Sequence, residues 1–209
     1  MFKEIKKQKG QGLLELIIAI GVITVGLFAV WNLFLSNFSG EEEARARIIG
    51  VNLAREGVEA VKNIRDSNWL KVEENEEGAE WDSGLSGDGT AVVSDLFTEN
   101  LRLDFAPNNI NGDAAKLFIN SDGFFDSDSG GQPTAYRRLI TLSDICCADN
   151  EGGLSDLKCD DNIFTETESG IPCASGLLKI GIKVKSEVAW QVNGKPRNIT
   201  AEDDLFNWK

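Results

Sequence analysis

A long apolar run stands near the start of the chain. Residues 13–35, LLELIIAIGVITVGLFAVWNLFL, contain 23 residues, and Glu15 is the only charged one. A helix of about 20 such residues crosses the apolar core of a bilayer. The pattern predicts a membrane-spanning helix over residues 11–38.

The next stretch predicts a continuation of this helix, with one apolar face, over residues 39–66. It is rich in good helix formers and has no proline. At about 100° per residue, small and aliphatic side chains gather on one face that a folded head should cover. They are Ala46, Ile49, Leu53, Gly57, Ala60, Val61 and Ile64. Ile48, Val51 and Val58 lie on the opposite side, either covered by a neighbouring subunit or exposed as single aliphatics.

Residues 67–209 predict a β-rich head. An acidic stretch rich in Gly and Ser follows the helix and predicts a loop. Runs with β-branched alternation then follow at 115–119, 134–142, 177–190 and 195–208. The Asn193-Gly194 pair predicts a tight hairpin between the last two. The predicted fold class is α+β, a long N-terminal helix packed on an antiparallel sheet.

The strand at 177–190 shows which face of the sheet is apolar. Aliphatic residues alternate with Lys179, Lys183 and Lys185. Because successive side chains of a strand point to opposite faces, the aliphatics should face the helix and the lysines the solvent.

Charge and composition exclude several classes of function. The net charge of −13 disfavours nucleic-acid binding, which needs a surplus of Lys and Arg. The chain has no histidine, so the usual general base and zinc ligand are missing. Carboxylate chemistry stays open, but nothing holds two carboxylates at a working distance. We expect the chain not to be an enzyme.

The four cysteines lie in one late stretch and predict disulfides, which form in an oxidising compartment. Pairing between the neighbours Cys146 and Cys147 would close a strained ring. Each is therefore expected to pair with one of Cys159 and Cys173. Free thiols or a metal site are the alternatives.

The first residues carry a charge pattern of their own. Residues 1–10, MFKEIKKQKG, hold four lysines against one glutamate, which favours a cytoplasmic location for this end. Residues 9–23, KGQGLLELIIAIGVI, resemble the prepilin signature of type IV pilin-like proteins. Gly10, Leu13, Leu14, Glu15 and Leu16 match it.

The resemblance implies a processing step. A membrane-embedded prepilin peptidase would remove residues 1–10 as a leader by cutting after Gly10, and would methylate the amine of the new first residue, Gln11. The family commonly has phenylalanine at that position, so Gln11 departs from the pattern. Residues 53–70 resemble the end of the long helix in minor pilins and pseudopilins.

Glu15 is expected to act in assembly, because a carboxylate within an apolar helix usually marks function. The resemblance implies that it meets the free amine of Gln11 on a neighbouring subunit. Alternatively, the positive end of its own helix satisfies it at the headgroup level.

The expected molecule is a structural subunit, a minor pilin or pseudopilin of a type IV pilus or type II secretion-like filament. It would sit in the cytoplasmic membrane with its N-terminus cytoplasmic and its head outside, and then join an extracellular or periplasmic filament. Its partners would be other pilin subunits, prepilin peptidase, the inner-membrane assembly platform and lipid. The alternatives are a major pilin, a membrane-anchored adhesin or DNA-uptake module, and an anchored enzyme.

A weak candidate for Ca²⁺ lies in NSDGFFDSDSGG, residues 120–131. Asp122, Asp126 and Asp128 supply the oxygen ligands that this cation prefers. The stretch does not fit the EF-hand pattern, and we favour a solvated hairpin with Asp122-Gly123 as its turn. No cofactor is expected.

Overall fold

The computed structural model describes residues 11–85, 90–94, 101–105, 109–148, 163–165, 173 and 177–207. The chain divides into two compact units, residues 1–45 and residues 46–209. One helix, α1 (Gln11–Glu73), runs through both units. The long N-terminal helix of the α+β prediction is therefore present.

The helix ends seven residues later than predicted, at Glu73 rather than at residue 66. Asn68 explains part of the extension, because its side chain donates to the backbone oxygens of Trp81 at 3.2 Å and Ser83 at 2.7 Å. The end itself is a Schellman motif. Asn75 has a positive φ of 57°, and the N–H of Glu76 donates to the Lys71 oxygen at 3.1 Å.

The second unit contains an antiparallel sheet built around one long strand. The described strands are β1 (Thr90–Ser94), β2 (Arg102–Asp104), β3 (Lys116–Ile119), β4 (Phe125–Asp126), β5 (Gln132–Ala148), β6 (Ile163–Thr165), β7 (Leu177–Val192) and β8 (Lys195–Phe206). Strand β5 pairs with β7 along most of its length, and β7 pairs with β8. Strands β3, β1 and β6 pair with successive parts of β5.

The hairpin between β7 and β8 has the predicted two-residue turn. Asn193 and Gly194 have φ values of 51° and 73°, and Val192 pairs with Lys195. Two central residues with positive φ define a type I′ turn, which suits Asn-Gly.

The core of the second unit lies between α1 and the sheet. Val61 of α1, Ile140 of β5 and Val184 of β7 are fully buried in one cluster. Leu53, Val188 and Trp190 form a second cluster. Burial of these faces removes apolar surface from water and holds the helix on the sheet.

Val58 is not on an exposed face, and in this respect the prediction is wrong. It is only 6% exposed and shares a cluster with Leu85 and Val93. Leu85 belongs to the segment that follows α1, and Val93 belongs to β1, so this segment and the sheet both supply apolar partners. Ile48 is 63% exposed.

Lys179 also departs from the prediction that it faces solvent. Ile145 pairs with Gly181 and Cys146 pairs with Lys179, so Ile180 is an extra residue that makes a β-bulge. The bulge turns Lys179 toward the face of Asp144. Its amine lies 2.8 Å from carboxylate oxygens of both Asp82 and Asp144.

A disulfide joins Cys146 to Cys173, with 5.8 Å between their Cα atoms. Cys147 is disulfide-bonded as well. The predicted partner Cys159 lies outside the described residues.

Gly57 lies close against the sheet. A Cβ placed there would overlap Ser186 Oγ and lie 3.1 Å from Ser186 Cβ and 3.2 Å from Arg138 Cδ. At Gly40 a Cβ would meet nothing within 4 Å. With any larger residue at position 57, Ser186 has to move before the helix can dock at this depth.

We expect Gly57→Ala to lower the free energy of unfolding by about 2 kcal/mol, because overpacking a core typically costs about 1–3 kcal/mol. Gly40→Ala is the matched control and should be neutral or stabilising, since alanine is the better helix former. Denaturant unfolding of the full chain in detergent, followed by tryptophan fluorescence, measures both.

A second substitution tests the cause. Ser186 Oγ is buried and has no hydrogen-bond partner among the described residues. Adding Ser186→Ala to Gly57→Ala should therefore restore most of the lost stability. Equal stability of Gly40→Ala and Gly57→Ala would contradict the tight docking.

Candidate functional site

In the apolar part of α1, residues 13–35, the uncharged polar side chains donate hydrogen bonds to the backbone of their own helix. Thr24 Oγ1 donates to the backbone oxygens of Ile20 and Gly21, each at 2.9 Å. Asn32 Nδ2 donates to the Phe28 oxygen at 2.9 Å. Such bonds to the preceding turn let polar residues sit in an apolar environment without a partner from outside.

Glu15 differs from these residues. Its side chain is exposed, and no described residue gives its carboxylate a hydrogen bond or an ion pair. The apolar side chains around it are exposed as well, with Leu14 at 63% and Leu16 at 59%. An unpaired carboxylate in an apolar setting is unfavourable, so this group needs a cation or a polar donor.

The other residues of the predicted processing site are only partly described. Gly10 lies outside the described residues. Gln11 is the first residue of α1, so Glu15 lies one turn later, at position i+4. The structure therefore places the backbone of Gln11 and Glu15 on neighbouring turns of one helix.

Among the described residues, one helix is long and apolar enough to cross a membrane, and it is α1. The length and composition of this helix agree with the predicted membrane-spanning helix. Comparisons with family models, curated proteins and solved structures find no match for the chain.

The Asp-rich stretch forms a hairpin between β3 and β4. Asn120 Oδ1 accepts from the N–H groups of Asp122 at 3.0 Å and Phe124 at 3.0 Å, and Gly123 has a φ of 86°. The backbone N–H of Gly123 donates to the Asn120 oxygen at 3.1 Å. This is a type I turn followed by a left-handed glycine, as the hairpin alternative predicts.

Two carboxylates of this stretch bind local backbone. Asp126 Oδ1 accepts from the N–H of Ser127 at 2.7 Å, and Asp128 Oδ1 accepts from the N–H of Gly130 at 3.0 Å. Within the described part of the chain, no three acidic or cysteine side chains stand together as a metal site. Calcium binding at this hairpin stays a prediction.

A groove of about 300 Å³ lies beside the first half of β5 and is lined by Asn111, Lys116, Thr134, Ala135, Arg137, Ala189, Trp190, Gln191, Pro196 and Arg197. Lys116 pairs with Asp113 at 2.7 Å, and this hydrogen-bonded cation holds the pKa of Asp113 below its usual value. Arg137 donates to the backbone oxygens of Asn111 and Gly112. Lys116 and Arg137 therefore support the local structure beside this groove.

A smaller, open groove of about 180 Å³ lies at the end of α1. Three glutamates line it, Glu76, Glu77 and Glu80, and all three are exposed to solvent. That the chain is not an enzyme stays a prediction.

Proposed function

We propose that the chain is a type IV pilin-like subunit, a minor pilin or pseudopilin, that assembles into a filament through the first half of α1. The carboxylate of Glu15 carries this proposal. It stands without a described partner one turn into an apolar helix whose uncharged polar side chains Thr24 and Asn32 bond to their own helix.

Cleavage after Gly10 would create a partner for Glu15, which has none among the described residues. The new α-amine of Gln11 would carry a positive charge, and in a filament it would meet Glu15 of the neighbouring subunit. Opposite charges attract strongly in an apolar environment, so this pair would favour one axial register between subunits. The exposed aliphatic side chains of residues 13–35 would then pack against the same helix of other copies.

Before assembly the same helix would hold the subunit in the cytoplasmic membrane. The four lysines of residues 1–10 favour retention of that end in the cytoplasm, where the peptidase and the assembly platform act. The head would then be extracytoplasmic, and the disulfide between Cys146 and Cys173 agrees with an oxidising compartment.

The mature N-terminus tests the proposal. In cells with active prepilin peptidase, mass spectrometry should find a chain that begins at Gln11, with or without a methyl group. Gly10→Val should leave residues 1–10 attached, because a bulky side chain would stand at the cut. Gly12→Ala, two residues away, is the matched control and should be cut normally. A chain that keeps Met1 in such cells would rule the proposal out.

A further inference from the structure

Strand β8 is a long edge of the sheet. It spans 12 residues, Lys195–Phe206, and within the described part of the chain it pairs only with β7. An edge strand presents unpaired N–H and C=O groups along its outer side, and these can pair with another strand. The question is which strand this edge suits.

The hairpin decides which residues of β8 offer their backbone outward. Lys195 closes the two-residue turn with Val192, so its backbone groups point to β7, as do those of every second residue after it. The outward set is therefore even-numbered. Pro196, which has no N–H to offer a neighbour, falls in this set, as expected for proline in an edge strand.

A hydrogen bond within β8 agrees with this assignment. The N–H of Asp204, one of the even-numbered residues, donates to Asp203 Oδ1 at 3.0 Å rather than to β7. This hydrogen bond therefore occupies an outward-pointing N–H group, and a backbone oxygen of an incoming strand could take the place of the carboxylate.

The charges of β8 are arranged with opposite signs at its two ends. Lys195 and Arg197 lie in the first three residues, and Glu202, Asp203 and Asp204 lie near the last. The uncharged stretch Asn198–Ala201 separates them. Such a strand is complementary to itself when a second copy runs antiparallel to it.

We propose that β8 binds the β8 strand of a second copy of this chain, antiparallel and in register with Thr200 opposite Thr200. Only a register that pairs even-numbered with even-numbered residues joins the two sets of outward backbone groups. In the register with Thr200 opposite Thr200, Arg197 faces Asp203 at two symmetry-related positions, so opposite charges meet.

The side chains at the centre fit the same register. Ile199 would face Ala201 on the side of the sheet that carries α1, where both are already half-buried against the core. Thr200 would face Thr200 on the other side, where it is exposed. Aliphatic pairs and threonine pairs both stabilise adjacent antiparallel strands. Shifting the register by two residues would remove the pairing of Arg197 with Asp203.

The direction of the strands fixes the direction of the two copies. Gly50 of α1 lies against Trp190, and Gly57 lies against Ser186, so α1 from residue 46 runs opposite to β7 and in the direction of β8. Pairing two β8 strands antiparallel would set these helical segments in opposite directions. The contact therefore goes beyond the proposed function, because it joins copies from oppositely directed filaments rather than neighbours within one polar filament.

A cysteine at the centre of the contact tests the register. Paired residues at the twofold axis have Cα atoms about 5.5 Å apart, within the range of a disulfide. The full chain carrying Thr200→Cys, in detergent under mild copper-catalysed oxidation, should form a covalent dimer. Asn198→Cys is the matched control on the same exposed face. In this register the two cysteines would lie four residues apart along the strands, roughly 13 Å, so this variant should stay monomeric.

Charge exchange tests the pairing independently. Arg197→Asp should weaken dimer formation roughly tenfold, because like charges would face each other at two positions. Adding Asp203→Arg to Arg197→Asp restores opposite signs and should restore the dimer. Analytical ultracentrifugation of the full chain in detergent measures this without any crosslink.

The outcomes separate clearly. A dimer from Thr200→Cys alone, with recovery in the charge-exchange variant, supports the contact. Equal crosslinking of both cysteine variants indicates random collision and overturns it, as does the absence of any dimer. None of these results depends on how the N-terminus is processed, so this proposal and the proposed function fail separately.

Discussion

Filaments are expected to disappear when Glu15 is replaced by leucine, while the protein still inserts into the membrane. The leucine variant keeps the apolar helix and makes it more apolar, so insertion should improve if it changes at all. The amine of Gln11 on the next subunit would then be buried without a counter-ion. Removing one partner of a buried ion pair costs about 3–5 kcal/mol, which corresponds to roughly a hundredfold or more in each subunit contact.

The measurement compares sheared filaments with the membrane fraction by immunoblotting. Glu42→Leu, an exposed glutamate on the same helix, is the control and should leave filament yield unchanged. Glu15→Gln separates charge from shape, because it keeps the size of the side chain and removes the charge, and it should also lose filaments. Normal filaments from Glu15→Leu would favour the alternative in which the helix satisfies Glu15 alone.

Replacing Glu56 of α1 by alanine is expected to destabilise the head, because Glu56 pairs with a buried arginine of the sheet. Glu56 Oε1 lies 2.8 Å from Arg138 Nη1, and the Arg138 side chain is only 1% exposed. The remaining contact of this nitrogen is with the Leu53 oxygen, at 3.4 Å. Without Glu56, a buried guanidinium would lack its counter-ion.

The expected loss is about 3 kcal/mol in the free energy of unfolding, at the low end of the range for breaking a buried pair, because Glu56 itself is partly exposed. Replacing both partners, Glu56→Ala with Arg138→Met, should cost less than Glu56→Ala alone, since no unpaired charge then remains. Glu59→Ala, at an exposed position one turn later, is the control. Additive losses in the double variant would contradict this account.

Local sequence signals predicted the parts of the fold that depend on neighbouring residues. The alternation in β7 correctly places Ile182 and Val184 on the buried face, and Asn193-Gly194 correctly marks the turn. Short strands were missed, because β1 and β2 have only five and three residues and take their stability from pairing with other strands.

The errors at Lys179 and Val58 have two different causes. A period of two fails as soon as a bulge adds one residue. Gly181, next to Ile180, is a local signal of this bulge, because a glycine inside a strand often marks one, but the alternation alone does not show it. The burial of Val58 depends on where the segment after α1 returns, which is a tertiary feature. Glu15, by contrast, stands out from sequence alone, because its chemistry conflicts with the residues on either side.

The disulfide between Cys146 and Cys173 also determines how the head would respond to a mechanical load. The two cysteines are separated by 27 positions, so the bond closes the intervening chain into a covalent ring. Force transmitted from α1 toward β8 would cross the sulfur bridge instead of that chain. The chain between Cys146 and Cys173, roughly 90 Å long when fully extended at about 3.4 Å per residue, therefore cannot extend under load. A pulled subunit would lengthen less before its long central strands β5 and β7 had to separate.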